Sequence, residues 1–198
     1  MPNSDKLSQP ARASVAEQLR TFLPRMRHLP PGGPGTNNIL SESYRIFTFP
    51  AHCSASDVAT CAADTGAWYH QILSVADERS VQPVPSVVGA ARSIPTNADH
   101  HSVLAVTESF PGADLPERIY SAAVWIDSVL KEKATARILE IPARYITCFW
   151  IILKNNSVIV VADRPESSNI LRMNYIYQET EFLNELRSCP IPVGLGAP

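Results

Sequence analysis

The sequence predicts an α+β protein: a mostly antiparallel sheet of about four to six strands with helices packed on it. Three observations carry this expectation. RYITCFWIILKNNSVIVVADRP, residues 144–165, is apolar on both sides of an Asn-Asn pair and reads as one long central hairpin, 144–163. DLPERIYSAAVWIDSVLKEK, residues 114–133, repeats apolar residues at helical spacing. The remaining segments alternate in character, giving the order helix, linker, strand, helix, strand, helix, strands, helix.

Residues 1–13 are polar and carry two prolines. Ser14 then suits the cap of VAEQLRTFL, with Glu17 completing a capping box and Val15, Leu19, Phe22 and Leu23 on one face. LPPGGPGTNN, residues 29–38, holds three prolines and three glycines, a composition that supports neither helix nor strand. Residues 1–38 therefore read as an arm with a short, loosely attached helix. Residues 39–188 read as one globular domain and 189–198 as an irregular tail.

Within the domain, YRIFTF from Tyr44 is a strand that stops at Pro50. SASDVATCAADTGAWYHQILSVADE reads as a helix capped by Ser54 or Ser56 and broken at Gly66. Residues 81–100, with Pro83, Pro85 and Pro95, read as an irregular connection, and HSVLAVTES as a short strand. Asp114 caps the next helix, where Leu115, Ile119, Ala122, Ile126, Val129 and Leu130 form the apolar face. RILEI is a strand ended by Pro142.

A turn at Asn155-Asn156 would pair Leu153 with Val158, Ile151 with Val160 and Phe149 with Ala162 on one face of the hairpin. Ile152 with Ile159, Trp150 with Val161 and Cys148 with Asp163 would occupy the other. Both faces are apolar, so both must be covered. QETEFLNELRSC, capped by Thr180, supplies a last helix.

Composition narrows the function. Hydrophobic residues make up 45% of the 198 and charged residues 18%, a globular balance poor enough in charge to suit a surface covered by a partner. Seventeen Lys and Arg against 19 Asp and Glu leave a formal charge of −2, without the basic footprint that nucleic acid requires. The apolar run before Lys154 is about nine residues, against the ~20 a helix needs to cross a bilayer, so no membrane is expected. The N-terminus lacks a basic-then-apolar leader, which points to the cytoplasm and to Cys53, Cys61, Cys148 and Cys189 as thiols.

No phosphate-cradling, dinucleotide, zinc-protease or nucleophile-elbow motif occurs, so no cofactor is expected. One constellation carries chemistry. Cys53, beside His52, falls where a strand ends and a helix begins, a place where the helix dipole stabilises a thiolate. His100 and His101 open a later strand and Asp163 closes another. This order resembles that of papain-like cysteine hydrolases, and the resemblance, one of arrangement, implies Cys53 as nucleophile, His100 or His101 as base and Asp163 as its orienting group.

His52, Cys53, Cys61 and His70 also lie close in sequence, but the cysteines are eight apart, whereas zinc ligand pairs stand about two to four apart. Adjacent side chains in Asp99-His100-His101 would point to opposite faces. No metal is expected. The sequence therefore favours a small non-enzymatic accessory or adaptor protein that binds another protein through its N-terminal helix, with a cysteine-dependent hydrolase built on Cys53, His101 and Asp163 as the alternative.

Overall fold

The computed structural model describes residues 3–4, 7–22, 36–51, 53–76, 86–96, 104–111 and 114–191. In chain order these form β1 (Asn3–Ser4), α1 (Gln9–Phe22), β2 (Thr36–Thr48), α2 (Val58–Cys61), β3 (Ala63–Ala76), β4 (Ser86–Pro95) and β5 (Leu104–Pro111). There follow α3 (Asp114–Val129), β6 (Thr135–Ile141), β7 (Ile146–Ile152), β8 (Ser157–Asp163), β9 (Tyr177–Gln178) and α4 (Glu179–Ser188). The class is α+β with mostly antiparallel pairing, but the strands outnumber the four to six expected. None of the described helices is long and apolar enough to cross a membrane.

Contacts divide the chain into two compact units. One comprises residues 1–3, 46–65 and 121–198, the other 4–45 and 66–120. This differs from the expected sequence of arm, single domain and tail, because α1 is built into the second unit. Most of the Pro/Gly stretch, and residues 192–198 of the tail, lie outside the described residues.

In the first unit the end of β2 runs parallel to β6, and β6, β7, β8 and β9 follow as an antiparallel meander. The hairpin forms where the sequence places it, in a register two residues away from the expected one. Ile152 faces Ser157, Ile151 faces Val158, Trp150 faces Ile159 and Phe149 faces Val160. The turn centres on Lys154-Asn155, closed by the Leu153 N–H donating to the Asn156 carbonyl at 2.9 Å. Neither asparagine adopts the left-handed conformation that argued for the Asn-Asn turn.

Side chains alternate with a period of two, so a two-residue shift changes every pair and leaves residues 148–152 and 158–161 on their expected faces, while a bulge at Thr147/Cys148 sets Asp163 opposite Thr147 instead of Cys148. Both faces are buried. Leu139, Ile141, Cys148, Trp150, Ile159 and Val161 join a core with Phe47, Phe49 and the α4 residues Phe182, Leu183 and Leu186. Ile138, Phe149, Ile151 and Val160 are fully buried on the opposite side of the same strands. At ~1.5–3 kcal/mol per large apolar side chain, this meander is the main stabilising element of the unit. α4 begins at Glu179 with Gln178 in the cap position, so Thr180 lies inside the first turn and does not cap it.

The second unit departs furthest from expectation. Residues 63–76, read from sequence as helix, form β3, and residues 86–95, read as irregular, form β4. The helical reading failed because every residue from Trp68 to Leu73 is buried. A strand covered on both faces shows no alternation and imitates a helix of mixed polarity. Trp68 and Ile72 stand opposite small or short neighbours, Ser93 and Gly89, which leaves room for α1 on that face.

Ala11, Val15 and Leu19 of α1 pack there against Trp68, Ile72 and Ala91. The helix starts at Gln9 rather than after Ser14, with Ser8 Oγ accepting from the Ala11 N–H at 3.3 Å. Arg12 donates to the Leu40 and Ser41 carbonyls at 2.7 and 2.8 Å, tying α1 to β2.

His70 on β3 is fully buried between Ser43 Oγ at 2.8 Å and Ser93 Oγ at 2.6 Å. Burial lowers its pKa to about 3. The folded state therefore holds a neutral imidazole while the unfolded state takes up a proton below about pH 6.5. Stability is fully present above that pH and declines by about 1.4 kcal/mol per unit as pH falls toward the folded pKa. Urea unfolding at pH 7 and pH 5 should accordingly differ by about 2 kcal/mol through this residue, and His70→Gln should flatten that slope. Separately, Trp150→Ala should cost about 3–5 kcal/mol, since it empties a doubly covered sheet. An unchanged midpoint for this variant would contradict the packing described.

Candidate functional site: an arginine-lined cleft

The end of α4, the Pro142–Arg144 turn before β7 and the segment after β2 together border a cleft of about 660 Å³ in the first unit. Ala51, Cys53, Ser54, Arg144, Arg187, Cys189 and Ile191 line it. Each wall has a local cause. Pro142 ends β6 and starts a single 3₁₀ turn, closed by the Tyr145 N–H donating to the Pro142 carbonyl at 3.2 Å. That turn carries Arg144 inward, where it is only 6% exposed.

α4 seats Phe182, Leu183 and Leu186 in the core, which leaves Arg187 on the outer side. Its guanidinium donates to the Ala55 carbonyl at 2.8 Å and to Asn184 Oδ1 at 3.3 Å. Beyond Phe49 the chain crosses to α2, whose cap is Asp57 and not Ser54 or Ser56. Asp57 Oδ1 accepts from both the Thr60 N–H and hydroxyl at 2.7 Å, and these bonds hold its carboxyl below the ordinary range.

Cys53 and Cys61 are disulfide-bonded, with Cα atoms 6.3 Å apart. The expectation of four free thiols therefore fails for this pair, whose sulfurs are brought together by the single turn of α2. Cys148 is fully buried and Cys189 nearly so. Burial raises the Cys189 thiol above its ordinary pKa, against the opposing influence of the Arg144 and Arg164 guanidiniums and the Ser168 hydroxyl.

Of the residues in the hydrolase arrangement, Cys53 lines the cleft in bonded form and Asp163 ends β8 opposite Thr147. His100 and His101 lie outside the described residues, as does His52. His70, considered as a metal ligand, belongs to the other unit and is engaged by two serines. No group of His, Cys, Asp and Glu suited to a metal occurs among the described residues. Sequence reasoning missed the arginines. The available signal was Arg144 itself, a lone cation between two apolar strands.

A second cleft, of about 550 Å³, opens near the hairpin turn between Trp150, Ser157 and Glu179. The Glu179 carboxylate is fully engaged there. It accepts from the Val58 N–H at 2.9 Å, from the Trp150 indole N–H at 3.2 Å and from the Ser157 hydroxyl. Glu179 thereby joins α4, α2 and the hairpin and serves the fold.

The disulfide closes a loop between residues eight apart, which corresponds to about 2–3 kcal/mol of denatured-state entropy. Cys53→Ser/Cys61→Ser should lower stability by about that amount, measured by denaturant unfolding. Iodoacetamide should leave all four cysteines of the oxidised, folded protein unlabelled, and mild reduction should expose Cys53 and Cys61 first. Rapid labelling of Cys53 without reductant would contradict the pairing. No protein-family model, no curated protein and no solved structure matches this chain, so its function is argued from its own geometry.

Proposed function

We propose that this protein is a non-enzymatic accessory or adaptor protein that acts by binding another protein. The observation that carries the proposal is Tyr145, which is 60% exposed and stands at φ 54, ψ 40. This left-handed conformation costs a non-glycine residue about 1–2 kcal/mol. The same residue closes the Pro142–Arg144 turn through its backbone N–H, while most of its aromatic ring stands in solvent. Such strain at an exposed site is retained where the side chain has work elsewhere.

Tyr145 directly follows Arg144, and Ile191, 40% exposed, lines the same cleft as Arg144. Tyr and Arg are the residue types most concentrated at binding hot spots, since both bring large contact area with a polar tip. The apolar face of α1 is already occupied within the second unit, so the recognition surface proposed here is the Tyr145 edge and not the N-terminal helix.

A photoreactive phenylalanine at position 145, with the same group at exposed Thr180 as control, tests this directly. Position 145 should give a discrete protein adduct in native extract and position 180 should not. Tyr145→Gly should keep or raise stability by about 1 kcal/mol, because glycine accepts φ 54 without strain. The same variant should weaken binding of the adducted partner at least tenfold. Equal adducts at both positions, or unchanged affinity in Tyr145→Gly, would defeat the proposal.

A further inference from the structure

The Arg144 cleft has a property that protein binding at Tyr145 does not require. Arg144 is 6% exposed, and its Nη1 donates to the Cys189 carbonyl, a neutral acceptor. Among the described residues no carboxylate reaches ion-pair distance of Arg144 or of Arg187. A guanidinium removed from water costs several kcal/mol unless it is paired or well hydrogen-bonded, and it cannot escape by losing its proton. One carbonyl leaves most of its five N–H donors for another acceptor, and the remaining nitrogens open onto the cleft, since none of them is buried without a partner.

The surroundings add positive charge. Arg187 lines the same cleft, and Arg164 lies near enough to Cys189 to influence its thiol, with its own Nε buried and unpartnered. Glu185, the carboxylate that also influences Cys189, accepts from the Tyr177 hydroxyl at 2.9 Å. The local balance is cationic in a chain whose formal charge is −2.

We propose that the cleft is a binding site for a small organic oxyanion, a carboxylate or phosphate ester, clamped between Arg144 and Arg187. Planar guanidinium donors match two oxygens of such a group at once. The cleft volume of about 660 Å³ far exceeds that of an isolated ion and falls in the range typical of small-molecule sites. Ala51 and Ile191 offer apolar surface to the body of the ligand. The disulfide joins Cys53, which lines the cleft, to Cys61 of α2 and so restrains that part of the wall.

Isothermal titration of the full chain with hexanoate and with hexyl phosphate, at constant ionic strength set by chloride, tests the site and separates the two headgroups. Saturable binding of either probe is expected, and the tighter one identifies the chemistry. Arg187→Gln, at an exposed position, also gives up the bond to the Ala55 carbonyl; it should weaken that probe about tenfold, the effect of losing one charge-assisted contact, while its thermal midpoint reports separately the cost to the fold. Arg144→Gln should abolish binding. Absence of saturable heat with both probes overturns the proposal, and so does an Arg187→Gln affinity equal to that of the unaltered chain. Neither outcome bears on the Tyr145 adduct, which reads the protein-binding proposal separately.

Discussion

Burial of β6, β7 and β8 on both faces is the constraint from which the rest of the first unit follows. A sheet whose two sides are Ile, Val, Phe and Trp cannot leave either side in water. On the side carrying Cys148, Trp150, Ile159 and Val161 the cover is α4 together with the segment running from Phe49 to Ala62. Neither cover is long. α4 has 10 residues and α2 only four, lengths at which a helix does not hold itself together in water. Their stability must come from the sheet beneath and from cross-links between them. Glu179 provides one, receiving the Val58 N–H into the first turn of α4. The Arg187 bond to the Ala55 carbonyl provides another, and the Cys53–Cys61 disulfide tightens the short piece itself. The cleft lies where these two covers approach without closing over Arg144.

Aromatic and cationic groups are distributed over this core in a way that separates structural from available charge. Arg137 lies over the rings of Phe47 and Trp150, 4.8 and 5.2 Å from their centroids, while the rings themselves meet edge to face at 5.4 Å. Arg172 stacks on Tyr175 at 3.5 Å and pairs with Glu181 at 3.5 Å. In both cases the guanidinium has aromatic or anionic company supplied by the chain. Arg144 has a carbonyl. Its burial is of the same order as that of core side chains, so the difference is one of electrostatic compensation and not of position.

How much of this was legible depends on whether a segment's pattern had one explanation or two. The hairpin 144–163 was readable because its composition admits only a buried strand pair, and helix 114–129 because amphipathic spacing and an acidic first turn agree. The hairpin register was not readable. Asn155 and Asn156 suit a left-handed turn, but the pairing actually adopted needs none, and the penalty for a two-residue slip never appears in the face pattern. The pattern of β3 imitates a helix because Trp68 to Leu73 are buried on both sides, and Gly66, which reads as a helix break, sits at φ +71 near the start of a strand. β4 was hidden by prolines that flank it, Pro85 just before and Pro95 at its end. Of the arginine cleft only Arg144 leaves a trace in the sequence, for a different reason. Its members come from positions 51–54, 144 and 187–191, and nothing short of the fold brings them together.

Cys53 illustrates how one residue supports different chemistry according to its partner. At the start of a helix, a thiol gains nucleophilicity from the backbone dipoles, and that was the sequence argument for catalysis. α2 has four residues, too short for a substantial dipole, and its Val58 and Thr60 N–H groups are already engaged by Glu179 and Asp57. The electrostatic premise is therefore absent even before the bond to Cys61 is considered. With the sulfur bonded, Cys53 is tied to Cys61 of α2, which braces the loop after β2 within itself. Cys53 lines the cleft beside Arg144 and Arg187 as a bonded sulfur, so the thiolate chemistry that its place in the sequence suggests has no free thiol to carry it.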